Sequence, residues 1–149
     1  MRAVVQRVDW ARVKVDGEIV GAIGPGLLVL LGAGRGDGDT DAEWMAQKVV
    51  NLRVFEDEHQ NMNRALLEVG GALLVVSQFT LYGDCRKGRR PSFVGALEPR
   101  EAERLCDLFA TRCRDAGVKV ESGRFRAMMD VELCNKGPVT MLLDSRKTF

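Results

Sequence analysis

Residues 77–81, Ser-Gln-Phe-Thr-Leu, carry two hydroxyls and an amide directly after an apolar run. Polar residues at the end of a buried strand often face a pocket, where backbone N–H groups near Gln78 and Phe79 could stabilise an oxyanion. The hydroxyl of Thr80 could be a nucleophile or could orient other groups. The only histidine, His59, lies in a polar stretch, so Thr80 has no evident base and orientation is favoured. Plain alternation along a strand would give the same residues without any function.

Residues 135–140, Asn-Lys-Gly-Pro-Val-Thr, place a Gly-Pro pair between two predicted strands. Such a pair most simply marks a turn. It could also present the carbonyl groups of Gly137 and Pro138 to a ligand from a rigid backbone, because glycine permits close approach and proline fixes its own φ. Both interpretations stay open on these residues alone.

A third stretch, residues 86–91, reads Arg-Lys-Gly-Arg-Arg-Pro and puts four cations within five residues. Its glycine and proline disfavour a helix. The run could bind the phosphate groups of a nucleic acid, or it could be a solvated surface loop. The candidate phosphate-binding residues are Arg86, Lys87, Arg89 and Arg90.

The composition bounds the class of protein. The chain has 149 residues, of which 46% are hydrophobic and 29% charged, and this fits a single domain spanning residues 1–149. A net charge of +1 excludes a strongly basic coat, so nucleic acid would have to be bound by a local patch. No apolar run reaches the roughly 20 residues of a membrane span, and the N-terminus does not resemble a signal peptide. We therefore expect a cytoplasmic protein with no membrane partner.

The cysteines argue against a metal site. Cys85, Cys106, Cys113 and Cys134 include no Cys-x-x-Cys pair, so a zinc site is poorly supported. Cys106 and Cys113 are separated by two helical turns, which suits a buried helix face. In a cytosolic protein these residues are expected to be free thiols.

Strands and loops must position the three stretches. Alternation and short apolar runs predict strands at residues 2–8, 11–15, 18–23, 27–31, 72–76, 118–121, 125–134 and 139–143. Asp16 and Gly17 predict a hairpin turn between the second and third of these strands. Polar or glycine-rich composition predicts loops at residues 32–39, 56–64 and 82–95.

Two helices complete the prediction. The first covers residues 40–52, with Thr40 as N-cap and Glu43 closing a capping box. The second opens with Pro99 at its first position and stops at Gly117. The expected fold class is mixed α/β (α+β), with curved, mostly antiparallel sheets or an open barrel and both helices packed on one side.

Taken together, the three stretches indicate a family. The segments VSQFTLYGD, KGRRPSF and NKGPVT resemble the signature segments of the D-aminoacyl-tRNA deacylases, also called D-tyrosyl-tRNA deacylases. The opening MRAVVQRV, the stretches GPGLLVLLG and NLRVFEDE, and GPVTMLLDS near the end are similar to the same family. The resemblance covers essentially the whole chain, with matching order and spacing.

The resemblance implies a homodimer that hydrolyses the ester joining a D-amino acid to the terminal adenosine of tRNA, and also removes glycine mischarged onto tRNA-Ala. It implies no metal and no organic cofactor. Residues 77–81 of one subunit would face Gly137 and Pro138 of the other, and the Gly-Pro bond would be cis. The two carbonyls would hold the substrate's amino group and exclude an L side chain, while the 2′-hydroxyl of the terminal ribose assists the chemistry.

These arguments select two groups of site residues besides the four cations. The expected catalytic group consists of Ser77, Gln78, Phe79 and Thr80. The expected group for substrate binding and chiral selection consists of Gly137, Pro138, Arg7, Met129, Asn135 and Thr140, in which Arg7 braces the Gly-Pro segment.

The chain departs from the family pattern at two positions. The family usually has Phe-Gly-Ala where this chain has Phe125, Arg126 and Ala127. The added arginine side chain could change access to the adenosine or shift the dimer contact. Lys136 stands where an acidic residue is common, which adds positive charge near the expected path of the tRNA.

Two other functions compete with the deacylase. A non-catalytic nucleic-acid-binding dimer would need only the cations at residues 86–90, whereas a deacylase needs the intact segments at residues 77–81 and 137–140. A serine or threonine amidohydrolase of another class would need a base, and the single histidine in a polar stretch counts against it.

Overall fold

A computed structural model describes all residues, 1–149. The elements in chain order are β1 (Arg2–Val15), β2 (Glu18–Ile23), β3 (Gly26–Gly32), α1 (Asp39–Val50), β4 (Phe55–Glu56), β5 (Met62–Arg64), β6 (Ala72–Ser77), a 3-10 helix (Phe79–Tyr82), α2 (Pro99–Asp115), β7 (Lys119–Ser122) and β8 (Asp130–Asp144). Neither α-helix combines the length and the apolar character that a membrane crossing requires.

The main sheet is built around β1. This strand pairs antiparallel with β2, β3 and β8, and β3 continues through parallel pairing to β6 and then β7. The far edge curls back towards β2, where a Cβ added at Gly21 would lie 2.7 Å from the carbonyl oxygen of Ser122. The result is a nearly closed, mostly antiparallel barrel-like sheet, which confirms the expected fold class.

The first two predicted strands are one strand. Residues 2–8 and 11–15 belong to a continuous β1 of 14 residues. Alternation breaks where Arg7 and Val8 are both buried, and the register against β8 shifts at this place. The bulge explains why the sequence pattern predicted two strands. One extra residue switches the side of the sheet on which the following side chains lie, so the alternation of buried and exposed residues is interrupted.

Both helices pack over the same side of the sheet, as expected, and form the larger core with β1, β3 and β6. The prediction that Thr40 caps α1 is wrong. The helix begins at Asp39 with Gly38 as N-cap, and the Asp41 carboxylate accepts a 2.9 Å hydrogen bond from the Gly38 N–H. The bounds predicted for α2 are confirmed, since Pro99 starts it and Gly117 follows it with φ of +94°.

Two further segments differ from their predictions. Residues 56–64, expected to be a loop, include most of a small hairpin in which β4 pairs with β5. Residues 125–134, expected to be a strand, start with a turn that precedes β8, closed by a 3.2 Å hydrogen bond from the Ala127 N–H to the Arg124 carbonyl. Arg126 in this turn has φ of +61°, which is incompatible with an extended strand.

Candidate active site

The expected catalytic segment leaves the sheet at its first residue. Ser77 is the last residue of β6, and residues 79–82 turn into a 3-10 helix instead of continuing the strand alternation. The change of direction is fixed by Gln78, whose N–H donates a 2.7 Å hydrogen bond to the carbonyl of Leu31. Phe79 and Thr80 are thereby exposed at the end of the sheet.

The turn changes the expectation for an oxyanion site. The Gln78 N–H is already bonded to Leu31, so it is not free to stabilise a negative oxygen. The Phe79 N–H opens the 3-10 helix, where N–H groups have no acceptor within the helix. The Gln78 amide nitrogen donates to the Thr80 hydroxyl, which has no basic side chain among its hydrogen-bond partners. His59 lies elsewhere, 77% exposed beside Glu58.

A buried polar cluster holds the far end of this segment. The Tyr82 hydroxyl donates a 3.1 Å hydrogen bond to the carboxylate of Asp37, which also accepts 2.6 Å from the Gly34 N–H. Burial, followed by the negative charge of Asp37, raises the pKa of Tyr82, so this hydroxyl remains a donor. The ring fits tightly, because a Cβ on Gly34 would lie 2.3 Å from it.

Cations complete the cluster around Asp37. The terminal ammonium of Met1 lies 2.9 Å from one carboxylate oxygen, and Arg146 lies 3.0 Å from the other. Arg2 stacks over the Tyr82 ring at 4.7 Å and donates a 3.1 Å hydrogen bond to the carbonyl of Leu81. The sequence analysis missed Asp37 and Tyr82, and only the position of Tyr82 directly after residues 77–81 could have drawn attention to them.

A pocket of about 590 Å³ opens beside the segment. Its lining is mostly apolar and includes Ser77, Gln78 and Phe79 as well as residues 125–129. Phe79 is oriented by an edge-to-face contact with Phe93, with ring centroids 5.0 Å apart. The arrangement gives a concave apolar site with a few polar groups at one side, which is typical of a small-ligand or nucleoside pocket.

The cysteines are free thiols, as expected, and one of them reaches the pocket. Cys106 of α2 lines the pocket, and burial raises its pKa to about 12. Cys113, two turns further along the same face of α2, is also buried, and burial likewise raises its pKa to about 12. Both thiols stay protonated at neutral pH, so neither is a nucleophile for this pocket.

The Gly-Pro segment forms an excursion from β8. Gln6 pairs with Thr140 and Val8 with Asn135, so the single residue Arg7 stands opposite the four residues 136–139. The Gly137–Pro138 peptide bond is cis, as expected, and Gly137 has φ of +119°. The excursion carries residues 136–138 into exposed positions on this edge strand.

Arg7 braces the excursion from below. Its guanidinium is buried and donates 3.2 Å to the Lys136 carbonyl and 2.7 Å to the Val54 carbonyl. It also lies 3.5 Å from the Glu56 carboxylate of the small hairpin. A Cβ on Gly137 would lie 2.9 Å from the Arg7 guanidinium, so glycine permits this close packing.

Two further residues of the expected substrate-binding group hold the base of the excursion. The Asn135 side chain accepts 3.2 Å from the Val139 N–H and donates 3.1 Å to the Thr140 hydroxyl. Gln6 donates 3.3 Å to the same hydroxyl. Arg7, Asn135 and Thr140 thus position the backbone of Gly137 and Pro138. Met129 does not join them, because it lines the pocket beside Phe79 instead.

The two expected halves of the site lie apart within one chain. Ser77 pairs with Leu31, while Gly137 stands beside Arg7, whose β3 partner is Leu27. Three strand spacings of about 4.8 Å and four residues of about 3.3 Å separate them, or roughly 20 Å along the sheet. Gly137 and Pro138 contribute nothing to the pocket lining.

The basic stretch is exposed but not uniformly free. Arg86 forms two hydrogen bonds with the Asp84 carboxylate, at 2.9 and 2.7 Å, which lower the pKa of Asp84. Lys87, Arg89 and Arg90 have no carboxylate within ion-pair distance. Lys136, expected to add positive charge, is paired with Asp9 at 3.2 Å.

Comparisons with known proteins agree with one another. A family model described as D-Tyr-tRNA(Tyr) deacylase matches residues 4–144. A D-aminoacyl-tRNA deacylase from Symbiobacterium thermophilum is 59% identical over 149 residues, covering 100% of this chain and 99% of its own. The D-aminoacyl-tRNA deacylase from Desulfatibacillum aliphaticivorans is 60% identical over 146 residues, covering 98% of this chain and 100% of its own.

Two solved structures share the fold. One, titled c-Myc DNA unwinding element binding protein, is 40% identical with a TM-score of 0.90 and covers 97% of this chain and 98% of its own. The other, described as "a probable eukaryotic D-amino acid tRNA deacylase", is 20% identical with a TM-score of 0.79 and covers 95% of this chain and 97% of its own. The second likeness concerns the fold alone.

Proposed function

We propose that this chain, which belongs to the D-Tyr-tRNA(Tyr) deacylase family, hydrolyses the ester bond that joins a D-amino acid to the terminal adenosine of tRNA. Relatives named D-aminoacyl-tRNA deacylase match it over their full length. The observation that carries the proposal is the apolar pocket beside Ser77, Gln78 and Phe79. An enzyme that acts on charged tRNA meets its substrate in the cytoplasm, where we propose that it works.

The pocket suits the terminal nucleoside of tRNA. Its apolar lining and its aromatic residue Phe79 offer a surface on which a base can stack, while the end of β6 supplies polar groups. A nucleoside held there would place its ribose hydroxyls, and therefore the aminoacyl ester, near the exposed Thr80.

A second copy of the chain completes the site. Gly137 and Pro138 stand on an exposed edge strand, roughly 20 Å from Ser77 by the strand spacings, so they can reach the ester only from another subunit. A two-fold axis would bring each excursion to the partner's catalytic segment and form two identical sites. We therefore propose a homodimer, and light scattering that finds an active monomer would contradict it.

The chemistry requires little from side chains. An aminoacyl ester is activated, so positioning and stabilisation of the oxyanion carry most of the catalysis. The Phe79 N–H is the remaining donor candidate, because the Gln78 N–H is bonded to Leu31. Thr80, which accepts from the Gln78 amide, orients the ester, and the 2′-hydroxyl of the substrate's ribose assists the attack.

Chirality is read by backbone carbonyls. The carbonyl oxygens of Gly137 and Pro138, braced by Arg7, accept hydrogen bonds from the substrate's ammonium group. With the ammonium fixed, an L side chain would point into this wall, whereas a D side chain points away from it. Glycine has no side chain to exclude, so glycyl-tRNA(Ala) is a substrate on the same grounds.

The direct test compares D-Tyr-tRNA, L-Tyr-tRNA and Gly-tRNA(Ala) with purified protein, following loss of the ester. We expect the D-aminoacyl and glycyl esters to disappear faster than without protein and the L-aminoacyl ester to persist. Hydrolysis of D-Tyr-tRNA at the uncatalysed rate would reject the proposal, and hydrolysis of both enantiomers would reject the chiral wall.

One observation favours a second candidate, a nucleic-acid-binding dimer. The 40% identical solved structure carries a title that assigns it binding to a DNA unwinding element. In this chain the exposed cations Lys87, Arg89 and Arg90 could contact a DNA backbone. Binding of duplex DNA that weakens with salt and disappears when Arg89 and Arg90 are replaced, in a protein without deacylase activity, would favour this candidate.

A further inference from the structure

The pocket lining contains one charged residue, Arg126, which has no role in the deacylation chemistry proposed above. We propose that the Arg126 guanidinium binds the phosphate group on the 5′ side of the terminal adenosine of tRNA. The proposal rests on the function proposed above and adds a specificity-determining residue to the same site.

Arg126 is free of protein partners. Its side chain is exposed at the pocket edge and forms no ion pair and no hydrogen bond in the structure. Two other arginines, in contrast, are engaged, since Arg86 is bonded to Asp84 and Arg146 is paired with Asp37. A guanidinium without a partner is available to an incoming anion without first breaking a contact.

The backbone gains nothing from an arginine at this position. The φ of +61° lies in the left-handed region, where a side chain costs free energy and glycine does not. Because the Arg126 side chain forms no ion pair and no hydrogen bond in the structure, the polar contacts of the fold give no reason for an arginine here. A contact that Arg126 makes only in the complex with substrate would explain why an arginine stands at this position.

The chemistry of the ligand calls for a cation here. The pocket is apolar and suits a base and a ribose, but a phosphodiester is charged and remains outside unless it finds a partner. When the terminal nucleoside is bound beside Phe79, the RNA backbone must leave the pocket at the 5′ phosphate of that nucleoside, which joins it to the rest of the tRNA. An arginine at the edge can hold that phosphate with two parallel hydrogen bonds.

This contact differs from the one expected of the basic stretch. Lys87, Arg89 and Arg90 lie outside the pocket lining and would contact phosphates elsewhere on the tRNA body. Arg126, in contrast, would bind the phosphate next to the terminal nucleotide and so add to the affinity for that nucleotide. Its effect should be present even on a substrate reduced to that one nucleotide.

The test uses two minimal substrates, D-tyrosyl-adenosine and the same ester carrying a 5′ phosphate, with wild-type protein and Arg126→Gly. The variant removes the guanidinium and relieves the backbone, so it should fold at least as well as the wild type. Lys147→Gly is a matched control, because it removes an exposed cation at φ of +54° outside the pocket.

We expect the 5′ phosphate to lower KM about three- to tenfold for wild type and Lys147→Gly, and to give no advantage to Arg126→Gly. With whole D-Tyr-tRNA, Arg126→Gly should raise KM, leave kcat unchanged and reduce the salt dependence of binding by about one phosphate contact. An equal phosphate advantage in wild type and Arg126→Gly would overturn the proposal. An equal loss on both substrates would also overturn it and assign Arg126 to the pocket shape.

Binding without turnover separates the two proposals. Calorimetry with adenosine and adenosine 5′-monophosphate should show tighter binding of the phosphate form by wild type but not by Arg126→Gly. If the wild type shows this preference but hydrolyses no ester, the phosphate site stands and the deacylase proposal fails. If the wild type hydrolyses the esters but Arg126→Gly still binds adenosine 5′-monophosphate more tightly than adenosine, the phosphate-site proposal fails and the deacylase proposal stands.

Discussion

The Nε atom of Arg7 donates a 3.2 Å hydrogen bond to the carbonyl oxygen of Lys136, the residue before Gly137. The same guanidinium reaches the Val54 carbonyl at 2.7 Å, so it ties the Gly-Pro excursion to the base of the small hairpin formed by β4 and β5. The Glu56 carboxylate, 3.5 Å away, is a third partner, and a buried guanidinium with three partners is held firmly in place. The two carbonyls proposed to read chirality are therefore held by contacts that do not involve the substrate.

The first prediction tests this packing at Gly137. In Gly137→Ala, the new Cβ would lie 2.9 Å from the Arg7 guanidinium and 3.0 Å from a Val139 methyl group, and φ of +119° adds backbone strain. We expect kcat/KM for D-Tyr-tRNA to fall by about a hundredfold, because a displacement near 1 Å has this effect on a positioned group. Steady-state deacylation measures it.

Gly17→Ala is the control for that experiment. Gly17 also has positive φ, +79°, but nothing lies within 4 Å of its added Cβ. It carries the backbone penalty of about 1–3 kcal/mol without the clash. Equal activity losses in the two variants, matched to equal losses of stability, would show that the excursion has no specific role.

The sequence was sufficient to predict features that depend on neighbouring residues, such as helix ends and the faces of a strand. Pro99 and Gly117 marked both ends of α2, and alternation marked the faces of β1 on both sides of its bulge. The bulge itself was not predictable, because it depends on pairing with β8 more than a hundred residues away. Thr40 failed as a cap because the reciprocal hydrogen bonds between Gly38 and Asp41 satisfy the helix start two residues before the threonine.

The candidate site likewise has parts that the sequence predicted and parts that depend on contacts between distant segments. The motifs at residues 77–81 and 135–140 were visible because their residue types are unusual for their positions. The partners of Arg7, and the cluster of Asp37 with Tyr82, join segments distant in sequence and appear only in three dimensions. The distance between Gly137 and Ser77 could not be predicted either, since it follows from the strand order.

The second prediction concerns Tyr82. Tyr82→Phe removes the donor to buried Asp37 and loosens the end of the 3-10 helix that carries Phe79 and Thr80. The loss of that bond should cost about 1–3 kcal/mol of unfolding free energy, since the carboxylate stays buried. Urea unfolding measures it, with Ile19→Ala as a control, because Ile19 is an exposed residue of β2 outside the cluster around Asp37.

The pH dependence of this effect has a definite sign. The pKa of Tyr82 is raised above its ordinary value of about 10, first by burial and then by Asp37, so the hydroxyl keeps its proton in the alkaline range. The stability difference between wild type and Tyr82→Phe should be constant from about pH 6 to about pH 9. Above about pH 10 the difference should fall, because the unfolded chain then loses the tyrosine proton before the folded protein does, and a difference that stays constant through about pH 11 would show that the pKa of Tyr82 is not raised.

The third prediction separates binding from chemistry in the basic stretch. Replacing both Arg89 and Arg90 by alanine should raise KM for tRNA, lower the salt dependence of binding by about two phosphate contacts and leave kcat unchanged. Arg86→Ala is the matched control, because Arg86 is already neutralised by Asp84 and should have the smaller effect. Unchanged KM and unchanged salt dependence in the double variant would assign the stretch to a solvated loop.

The fourth prediction concerns Thr80, which could be the nucleophile or an orienting group. A threonine nucleophile needs a base within hydrogen-bond reach, and the hydrogen-bond partner of this hydroxyl in the structure is the amide of Gln78, which donates to it. The only histidine is 77% exposed beside Glu58. Thr80→Ala should therefore retain measurable deacylation, reduced about tenfold to a hundredfold as for a lost orienting contact. Thr80→Ser keeps the hydroxyl and should stay near the wild-type rate. Single-turnover deacylation of D-Tyr-tRNA gives these rates, and an acyl group found on Thr80 by mass spectrometry of the quenched reaction would show that the residue is the nucleophile after all.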